Sequence, residues 1–278
     1  KKICFEGPED ELKTTANSQP AIFTTSMATL NVLVEELKGS PVGDEGDEIF
    51  SPGDIQRIAS VALGLSLGEP SALVASGAMT FEAGLRFVDS RGCFMEEASN
   101  ATEGKMASIM GLEPEKVEEL CKGIGCQVAN LNCPGQVVIS GHAGKVELAA
   151  DLARGQGAKR AVMLKVSGAF HSELMLPAKE KLIKVLKDIS ISEPVIPFIS
   201  NIDASVVKDP DKIRENLANQ LDNKTLWEAS MNNAISMGIS DYLEVGPGSV
   251  LKGLARKIDR SVTVYPVHTP ADIKELSG

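Results

Sequence analysis

The residues best suited to covalent chemistry form the stretch Gly64-Leu65-Ser66-Leu67-Gly68, which has the pattern G-x-S-x-G. An apolar run precedes this stretch, and an apolar-periodic segment follows it. That context is typical of a nucleophile elbow, a tight strand-to-helix turn that exposes a serine hydroxyl. We expect a side chain at either glycine to crowd the turn, and the N–H of Leu67 to face an oxyanion. The alternative is a glycine-flanked serine in an ordinary turn.

A serine hydroxyl needs a base to become a nucleophile, and the sequence offers three histidines. His142 follows a predicted strand and precedes a predicted helix, which suits an exposed capping residue. His268 lies near the end of the chain, where a hydrolase with the order serine, acid, histidine has its base. His171 lies in a Gly-Ala-Phe-His-Ser loop. Spacing alone leaves both His171 and His268 open as the base.

Arg91 is the second residue of chemical interest, and it lies on a predicted helix. A single arginine on a helix is usually a solvated or salt-bridged surface group. If the fold instead brings Arg91 next to Ser66, its planar guanidinium would bind a carboxylate through two parallel hydrogen bonds. That arrangement would suit a substrate with a free carboxylate.

Composition limits the classes of function. No apolar run approaches the roughly 18 residues of a membrane span, so a soluble protein is expected, and the opening residues are too short an apolar run for a signal peptide. The formal net charge of -10 argues against nonspecific nucleic-acid binding. The five cysteines indicate reduced, structural thiols. Cys121, Cys126 and Cys133 lack the paired spacing of zinc ligands, so no metal site is expected.

The order of predicted elements favours an α/β fold with a hydrolase-like parallel-sheet core and an inserted ferredoxin-like subdomain. Residues 105–166 have the order β-α-β-β-α-β and form the small subdomain, while residues 1–104 and 167–278 form the large one. In the large subdomain we predict helices over 21–37, opening near Pro20, and over 71–98, broken at Gly77, then over 174–189, 210–221, 226–237 and 250–258. A loop is predicted over 39–54, an apolar approach to the elbow over 55–65, and strands over 195–200, 241–245 and 262–267.

Nine stretches of the chain, in this order and spacing, resemble the malonyl-CoA:acyl carrier protein transacylase family. The matching residues are Ser18-Gln19-Pro20-Ala21-Ile22, Gly64 to Glu69, Gly77 to Glu82, Arg91, Asn130, Pro134-Gly135-Gln136, Ser167 to Ser172, Ser200-Asn201-Ile202-Asp203 and Glu244 to Gly248. Each stretch is weak evidence alone. Together the stretches cover nearly the whole chain, and their order and spacing are specific to the family.

The resemblance implies a ping-pong acyl transfer. Ser66 would attack the malonyl thioester of malonyl-CoA while His171 takes its proton, and the phosphopantetheine thiol of acyl carrier protein would then attack the malonyl-serine. The backbone carbonyl of Gln220 would orient the histidine. Arg91 would hold the malonate carboxylate, and Phe170 resembles the family's mark of malonyl rather than methylmalonyl choice.

The resemblance also implies further binding residues, the substrates and the partners. Asn130 would contribute to substrate binding, and the Leu67 N–H would be an oxyanion donor. Malonyl-CoA is then a substrate, no cofactor is needed, acyl carrier protein is the protein partner, and a monomer is expected. A basic patch of Lys252, Arg256, Lys257 and Arg260 would suit that acidic partner, although a solvated helix face explains the same residues.

The sequence departs from the family pattern at four places. Leu65 replaces a histidine that many bacterial members have, which resembles the plant and algal branch and favours a plastid over the cytoplasm or mitochondrion. Pro70 replaces an aromatic residue but lies close enough to the helix start to be tolerated, and Leu176 replaces a glutamate. The family's N-terminal strand and GQGSQ loop, which supplies an oxyanion donor, have no counterpart here. A free sheet edge or gap would follow.

Two other functions remain open at this point. The first is an α/β-hydrolase esterase that uses Ser66 and His268 with one of Asp203, Asp209, Asp222 or Asp241. It explains the elbow but gives no role to Arg91 or to the loop that contains His171. The second is an inactive module that binds carrier protein, which the unmatched oxyanion loop would allow.

Overall fold

A computed structural model describes residues 2–38 and 50–277 of the chain. Its helices are α1 (Lys2–Glu6), α2 (Glu9–Leu12), α3 (Thr15–Lys38), α4 (Pro52–Ile58), α5 (Gly68–Ala75), α6 (Phe81–Ala101), α7 (Pro114–Ile124), α8 (Ala143–Gly155), α9 (Leu176–Leu186, after a 3-10 turn over Glu173–Met175), α10 (Pro210–Asn219), α11 (Trp227–Ser236), α12 (Val250–Ile258) and α13 (Pro270–Ser277). Its strands are β1 (Ala62–Leu63), β2 (Gly104–Met110), β3 (Gln127–Cys133), β4 (Gln136–His142), β5 (Arg160–Met163), β6 (Phe198–Ile199), β7 (Asp241–Val245) and β8 (Thr263–Val267). None of the helices in these described ranges is long and apolar enough to cross a membrane.

Strands β2 to β5 form one antiparallel sheet in the order β3-β4-β2-β5. Helices α7 and α8 pack against this sheet, and the shared core includes Val117 of α7 and Ile139 of β4. Helix α7 begins with Pro114, which suits a first turn, and ends before Gly125, whose φ of 82° favours glycine. All six elements predicted within residues 105–166 are present.

The rest of the chain holds two parallel pairs, β1 with β6 and β7 with β8. Strands β1 and β6 have two residues each, so only two residues of the apolar approach over 55–65 are strand, and the strand predicted over 195–200 is shorter than expected. The first run starts as α4 because Asp54 caps this helix by accepting the Ser51 N–H at 2.9 Å. In the described residues the parallel core is therefore two separate pairs, and a cleft of about 320 Å³ is lined by both β1 and β7.

Helix α3 is longer at its start than predicted, because it begins at Thr15 and contains Pro20. Two distant contacts hold the extra turn. The Thr15 hydroxyl is 2.8 Å from the hydroxyl of Ser167, and the Ala16 N–H donates to the Glu96 carboxylate at 2.7 Å. Tertiary contacts therefore set this helix end, and local sequence preference does not. Part of the loop predicted over residues 39–54 lies outside the described residues.

The helical segment after the elbow consists of α5 and α6, and the predicted break between them is confirmed. Gly77 lies in the turn with a φ of 74°. Thr80 caps α6, since its hydroxyl accepts the Ala83 N–H at 3.1 Å. Helix α5 begins at Gly68, directly after the elbow, and accommodates Pro70 in its first turn. Helices α9 to α12 and strands β7 and β8 lie at the predicted places.

Candidate active site

The elbow joins β1 to α5 and holds Ser66 at a φ of 49°. This left-handed conformation costs about 1–3 kcal/mol for a residue with a side chain, so the surrounding structure must enforce it. Asn201, in the loop after β6, does so from both sides. Its Oδ1 accepts the Ser66 N–H at 2.7 Å, and its Nδ2 donates to the Gly64 carbonyl at 2.6 Å. The serine therefore occupies the strand-to-helix turn that its pattern predicts.

The two glycines of the elbow have different roles. A Cβ on Gly64 would overlap with the carbonyl group of Gly68, whereas a Cβ on Gly68 would meet no atom within 4 Å. The predicted crowding is confirmed for Gly64 and wrong for Gly68, because Gly68 is already helical and its Cβ would point into open space.

We therefore expect Gly64→Ala to lower the free energy of unfolding by about 1–3 kcal/mol through overpacking. Gly68→Ala is the matched control, and we expect it to leave stability unchanged or to raise it by up to about 1 kcal/mol. Urea denaturation of both variants measures the difference. Equal losses from the two substitutions would contradict this explanation.

His171 is the base nearest to the serine. Its Nε2 lies 2.9 Å from Ser66 Oγ, and its Nδ1 lies 2.7 Å from the backbone carbonyl of Gln220. A carbonyl can only accept, so Nδ1 carries the ring proton and Nε2 is free to accept the serine proton. The His171 backbone has a φ of 59° and its side chain is buried, so the fold fixes this ring closely.

His268 does not contact the serine. Its ring is partly exposed and lies 3.6 Å from the Asp272 carboxylate. Asp222, one of the acids considered for an esterase triad, instead forms an ion pair with Lys179 at 2.9 Å. The alternative base is therefore excluded by its position. His142 is an exposed residue that precedes α8, as predicted.

Arg91 is buried, with 2% of its surface exposed, so the surface interpretation is wrong. Its Nη2 donates to Ser66 Oγ and to Gln220 Oε1, both at 3.0 Å, and its Nη1 donates to Gln19 Oε1 at 2.6 Å. Burial lowers the pKa of Arg91 to about 10, so the group remains a cation at neutral pH. Its buried Nε has no hydrogen-bond partner among the described residues.

The other three predicted site residues are Leu67, Phe170 and Asn130, and each makes different contacts. Leu67 directly precedes α5, and its N–H donates to no acceptor in the described part of the chain. Phe170 is half-buried and packs against both the large core and Met106 of the small sheet. Asn130 Nδ2 donates to Thr225 Oγ1 at 2.6 Å and joins β3 to that segment, whose next residue, Leu226, donates its N–H to the Asn201 carbonyl at 2.8 Å.

Two buried side chains that the sequence analysis did not assign to the site lie next to it. Gln19 accepts from Arg91, and Glu69 accepts the Asn201 N–H at 2.9 Å. The available signal for Glu69 was its position one helical turn after Ser66, since residues three or four apart share a helix face. No comparable local signal exists for Gln19, because its partner lies on another helix.

Burial lowers the pKa of His171 from 6.5 to about 4, and the positive charge of Arg91 acts in the same direction. The neutral ring is therefore favoured in the folded protein, and we expect the His171 ring to stay unprotonated down to about pH 5. The contribution of the neutral His171 to the free energy of unfolding is present above pH 6.5 and is lost as the pH falls towards 4. An NMR titration of the imidazole nitrogens measures this, with His171→Asn used to assign the signal. A midpoint near 6.5 would contradict it.

Within residues 2–38 and 50–277, no group of three or more His, Cys, Asp or Glu side chains is placed to hold a metal ion. The groups that meet at the elbow are a serine hydroxyl, a neutral imidazole and a buried cation. Such a set can transfer an acyl group that carries a carboxylate.

The chain is similar to known proteins over nearly its whole length. A family model described as acyl transferase domain matches residues 1–268. The malonyl CoA-acyl carrier protein transacylase of Bacillus subtilis (strain 168) is 43% identical over 277 residues, which cover 98% of this chain and 81% of the relative. The protein of the same name from Escherichia coli (strain K12) is 36% identical over 270 residues, covering 96% and 82%.

Solved structures agree with these relatives. The acyl-carrier-protein-S-malonyltransferase of Bartonella henselae has a TM-score of 0.88 and 36% identity, covering 99% of this chain and 84% of the other. A second neighbour is a malonyl-transacylase in complex with its type II PKS acyl-carrier protein. It has a TM-score of 0.87 and 35% identity, and the match covers 98% of this chain and 84% of that one.

Proposed function

The chain belongs to the acyl transferase family, and on that premise we propose that it transfers a malonyl group from malonyl-CoA to the phosphopantetheine thiol of acyl carrier protein, in fatty-acid synthesis. The relatives that support this assignment carry the transacylase name. The partner is supported by the neighbour that was solved with its acyl-carrier protein. The enzyme is thus an acyltransferase that uses malonyl-CoA as substrate.

One observation carries the proposal. The Ser66 hydroxyl lies 2.9 Å from a buried histidine nitrogen and 3.0 Å from a buried arginine nitrogen. A base at this distance activates a serine for acyl transfer, and a buried cation selects an acyl group with a free carboxylate. An esterase would need the first contact but not the second.

In the first half-reaction, Ser66 Oγ forms a bond to the thioester carbon while His171 Nε2 accepts the hydroxyl proton. The Leu67 N–H stabilises the oxyanion, the carbon–sulfur bond breaks, and the proton passes from His171 to the leaving CoA thiolate. In the second half-reaction, His171 takes the proton of the carrier thiol, which attacks the malonyl-serine. The serine oxygen then leaves and recovers a proton from the histidine. Arg91 holds the malonyl carboxylate throughout.

Mass spectrometry after incubation with malonyl-CoA tests the proposal. We expect a malonyl adduct on the peptide that contains Ser66, none in Ser66→Ala, and loss of the adduct when holo acyl carrier protein is added. Absence of an adduct at every malonyl-CoA concentration would overturn the proposal. That result would instead favour an inactive module that binds carrier protein.

We infer that the carrier protein docks near α12. Arg256 and Arg260 line a groove of about 740 Å³, which also includes Lys252 and two acidic side chains. Lys257, on the same helix, donates to Gln136 of β4 at 3.2 Å. A basic surface next to the small sheet would attract an acidic partner in an otherwise acidic protein.

Reversing two of these charges, Arg256→Glu with Lys257→Glu, is expected to raise the Michaelis constant for acyl carrier protein by about three- to ten-fold. The Michaelis constant for malonyl-CoA should not change. Steady-state kinetics at low and high salt measure both, and added salt should reduce the difference. Lys116→Glu with Lys122→Glu on α7 is the control. Equal effects on both substrates would count against this surface.

We also infer the finer architecture and location. The order of the small sheet and its two helices supports a ferredoxin-like subdomain over residues 105–166. The elbow between β1 and α5 supports a hydrolase-like unit formed by residues 1–104 and 167–278. The contribution of Asn130 to substrate binding remains a proposal, and its pairing with Thr225 makes an indirect contribution the simpler one. A plastid location rests on Leu65 alone.

A further inference from the structure

We propose that Glu69 is the positioning residue of this site, because its carboxylate binds Asn201 and Gln220, the two residues that hold the serine, its base and its arginine. The inference rests on the proposed function only for the identity of the acyl group that the site transfers. The contacts that carry it do not depend on that identity.

Glu69 lies in the first turn of α5, and only 1% of its surface is exposed. It is the only acidic side chain buried in the part of the chain whose burial the structure describes. A buried carboxylate is costly unless several donors surround it. Its Oε1 accepts the Asn201 N–H at 2.9 Å, and its Oε2 accepts the side-chain amide of Gln220.

The first branch of this network runs through Asn201. Glu69 holds the Asn201 backbone, and the Asn201 side chain bonds to the Ser66 N–H and to the Gly64 carbonyl. Through Asn201, Glu69 therefore links the loop after β6 to the elbow that precedes α5. This closed ring of hydrogen bonds keeps the serine in its left-handed conformation.

The second branch runs through Gln220. Its Nε2 faces Glu69 and also lies 3.3 Å from the Ser66 carbonyl, so its Oε1 must face Arg91 Nη2 at 3.0 Å. Its backbone carbonyl accepts from His171 Nδ1. An ionised carboxylate can only accept, and it therefore sets the direction of the Gln220 amide. A protonated acid or an amide at this position could donate, and the arginine would then face an N–H₂ group.

The charges around Glu69 support this arrangement. Arg91 of α6 is the charged side chain that acts on it directly, while His171 lies behind Gln220. The loop after β6 and the end of α10 contribute Ser200, Asn201 and Gln220, which are uncharged. Burial raises the pKa of Glu69 to about 7, against the opposing effects of its hydrogen bonds and of Arg91. Ionisation, and with it the alignment of the site, is therefore expected to develop as the pH rises through neutrality.

The experiment measures labelling of Ser66 by a fluorophosphonate between pH 5 and 9, because this probe reports the reactivity of the serine whatever its natural acyl group. We expect the wild-type rate to rise through an inflection near pH 7. In Glu69→Gln we expect a rate about 10–100-fold lower at pH 8 and no inflection. Glu69→Asp keeps the charge, so it should keep the inflection at an intermediate rate. Glu82→Gln, an exposed glutamate at the start of α6, is the matched control and should match the wild type.

A wild-type rate and an unchanged inflection in Glu69→Gln would overturn the proposal. Circular dichroism first establishes that each variant is folded, and if Glu69→Gln is not, the decision passes to Glu69→Asp, where an unchanged rate has the same meaning. An assay with malonyl-CoA distinguishes failure of the positioning role of Glu69 from failure of the proposed malonyl transfer. A wild type that reacts with the fluorophosphonate, shows the inflection and forms no malonyl adduct would refute the proposed function and leave the role of Glu69 supported.

Discussion

His171→Ala is expected to slow malonylation of Ser66 by about 10²–10⁴-fold, which is the usual contribution of a general base. The reason is geometric, because His171 Nε2 is the acceptor 2.9 Å from the serine hydroxyl. His268→Ala should leave the rate unchanged, since its ring pairs with Asp272 elsewhere. Rapid-quench mixing with malonyl-CoA, followed by mass spectrometry of the Ser66 peptide, gives the rate for each variant.

The pair of variants also tests the alternative of an esterase. Loss of the adduct in His268→Ala alone would refute the proposed base and restore a serine, acid, histidine triad. Unfolding is a separate cause of lost activity, so the thermal midpoint of each variant is measured alongside. His171→Gln retains a hydrogen-bonding side chain of similar size and should be as slow as the alanine variant, because it cannot accept the proton as a base.

Arg91→Ala is expected to lower the rate of malonyl loading by about 10–100-fold while acetyl loading changes little. A charge-assisted hydrogen bond contributes about 1.5–3 kcal/mol, and only the malonyl group carries a carboxylate to receive it. Arg91→Lys should recover part of the difference, because it restores the charge but not the planar fork. Competition between malonyl-CoA and acetyl-CoA, read as the ratio of the two adducts, measures the selectivity.

Arg86→Ala is the matched control for this prediction. Arg86 lies on the same helix, is exposed and forms only a long ion pair with Asp188 at 3.7 Å. Its removal should leave both the adduct ratio and the thermal midpoint near the wild-type values. An equal fall of malonyl and acetyl loading in Arg91→Ala would show that Arg91 supports the folded site rather than selecting the substrate.

Much of this molecule could be predicted from local patterns. The elbow, the turn at Gly77, the six elements within residues 105–166 and the exposed position of His142 before α8 depend on residues close together in the chain. Glycine, proline and capping side chains act over one turn of backbone, and helix and strand periods repeat over a few residues. Such features are therefore visible in the sequence. The resemblance to the family added roles for Arg91 and His171 that spacing alone left open.

Other features depended on contacts between distant segments. The start of α3 is set by residues 152 and 80 positions away, and the strand predicted over 195–200 is limited to the two residues that pair with β1. The burial of Arg91 and its contact with Gln19, 72 positions away, could not be inferred from a helix pattern. The hydrogen bond of the Asn130 amide to Thr225, 95 positions away, was likewise not visible in the sequence.

The sequence by itself determined that a serine lies on an elbow, and that a histidine loop and an arginine helix accompany it. The tertiary structure decided what residue spacing left open, because it places His171 rather than His268 against the serine, across 105 residues of chain. It also decided that Glu69 joins Gln220 across 151 residues. The physical reason is that turn and helix preferences act between residues close together in the chain. The partners of a buried polar group depend on the packing of the whole fold, because the fold must satisfy every donor and acceptor that it removes from water.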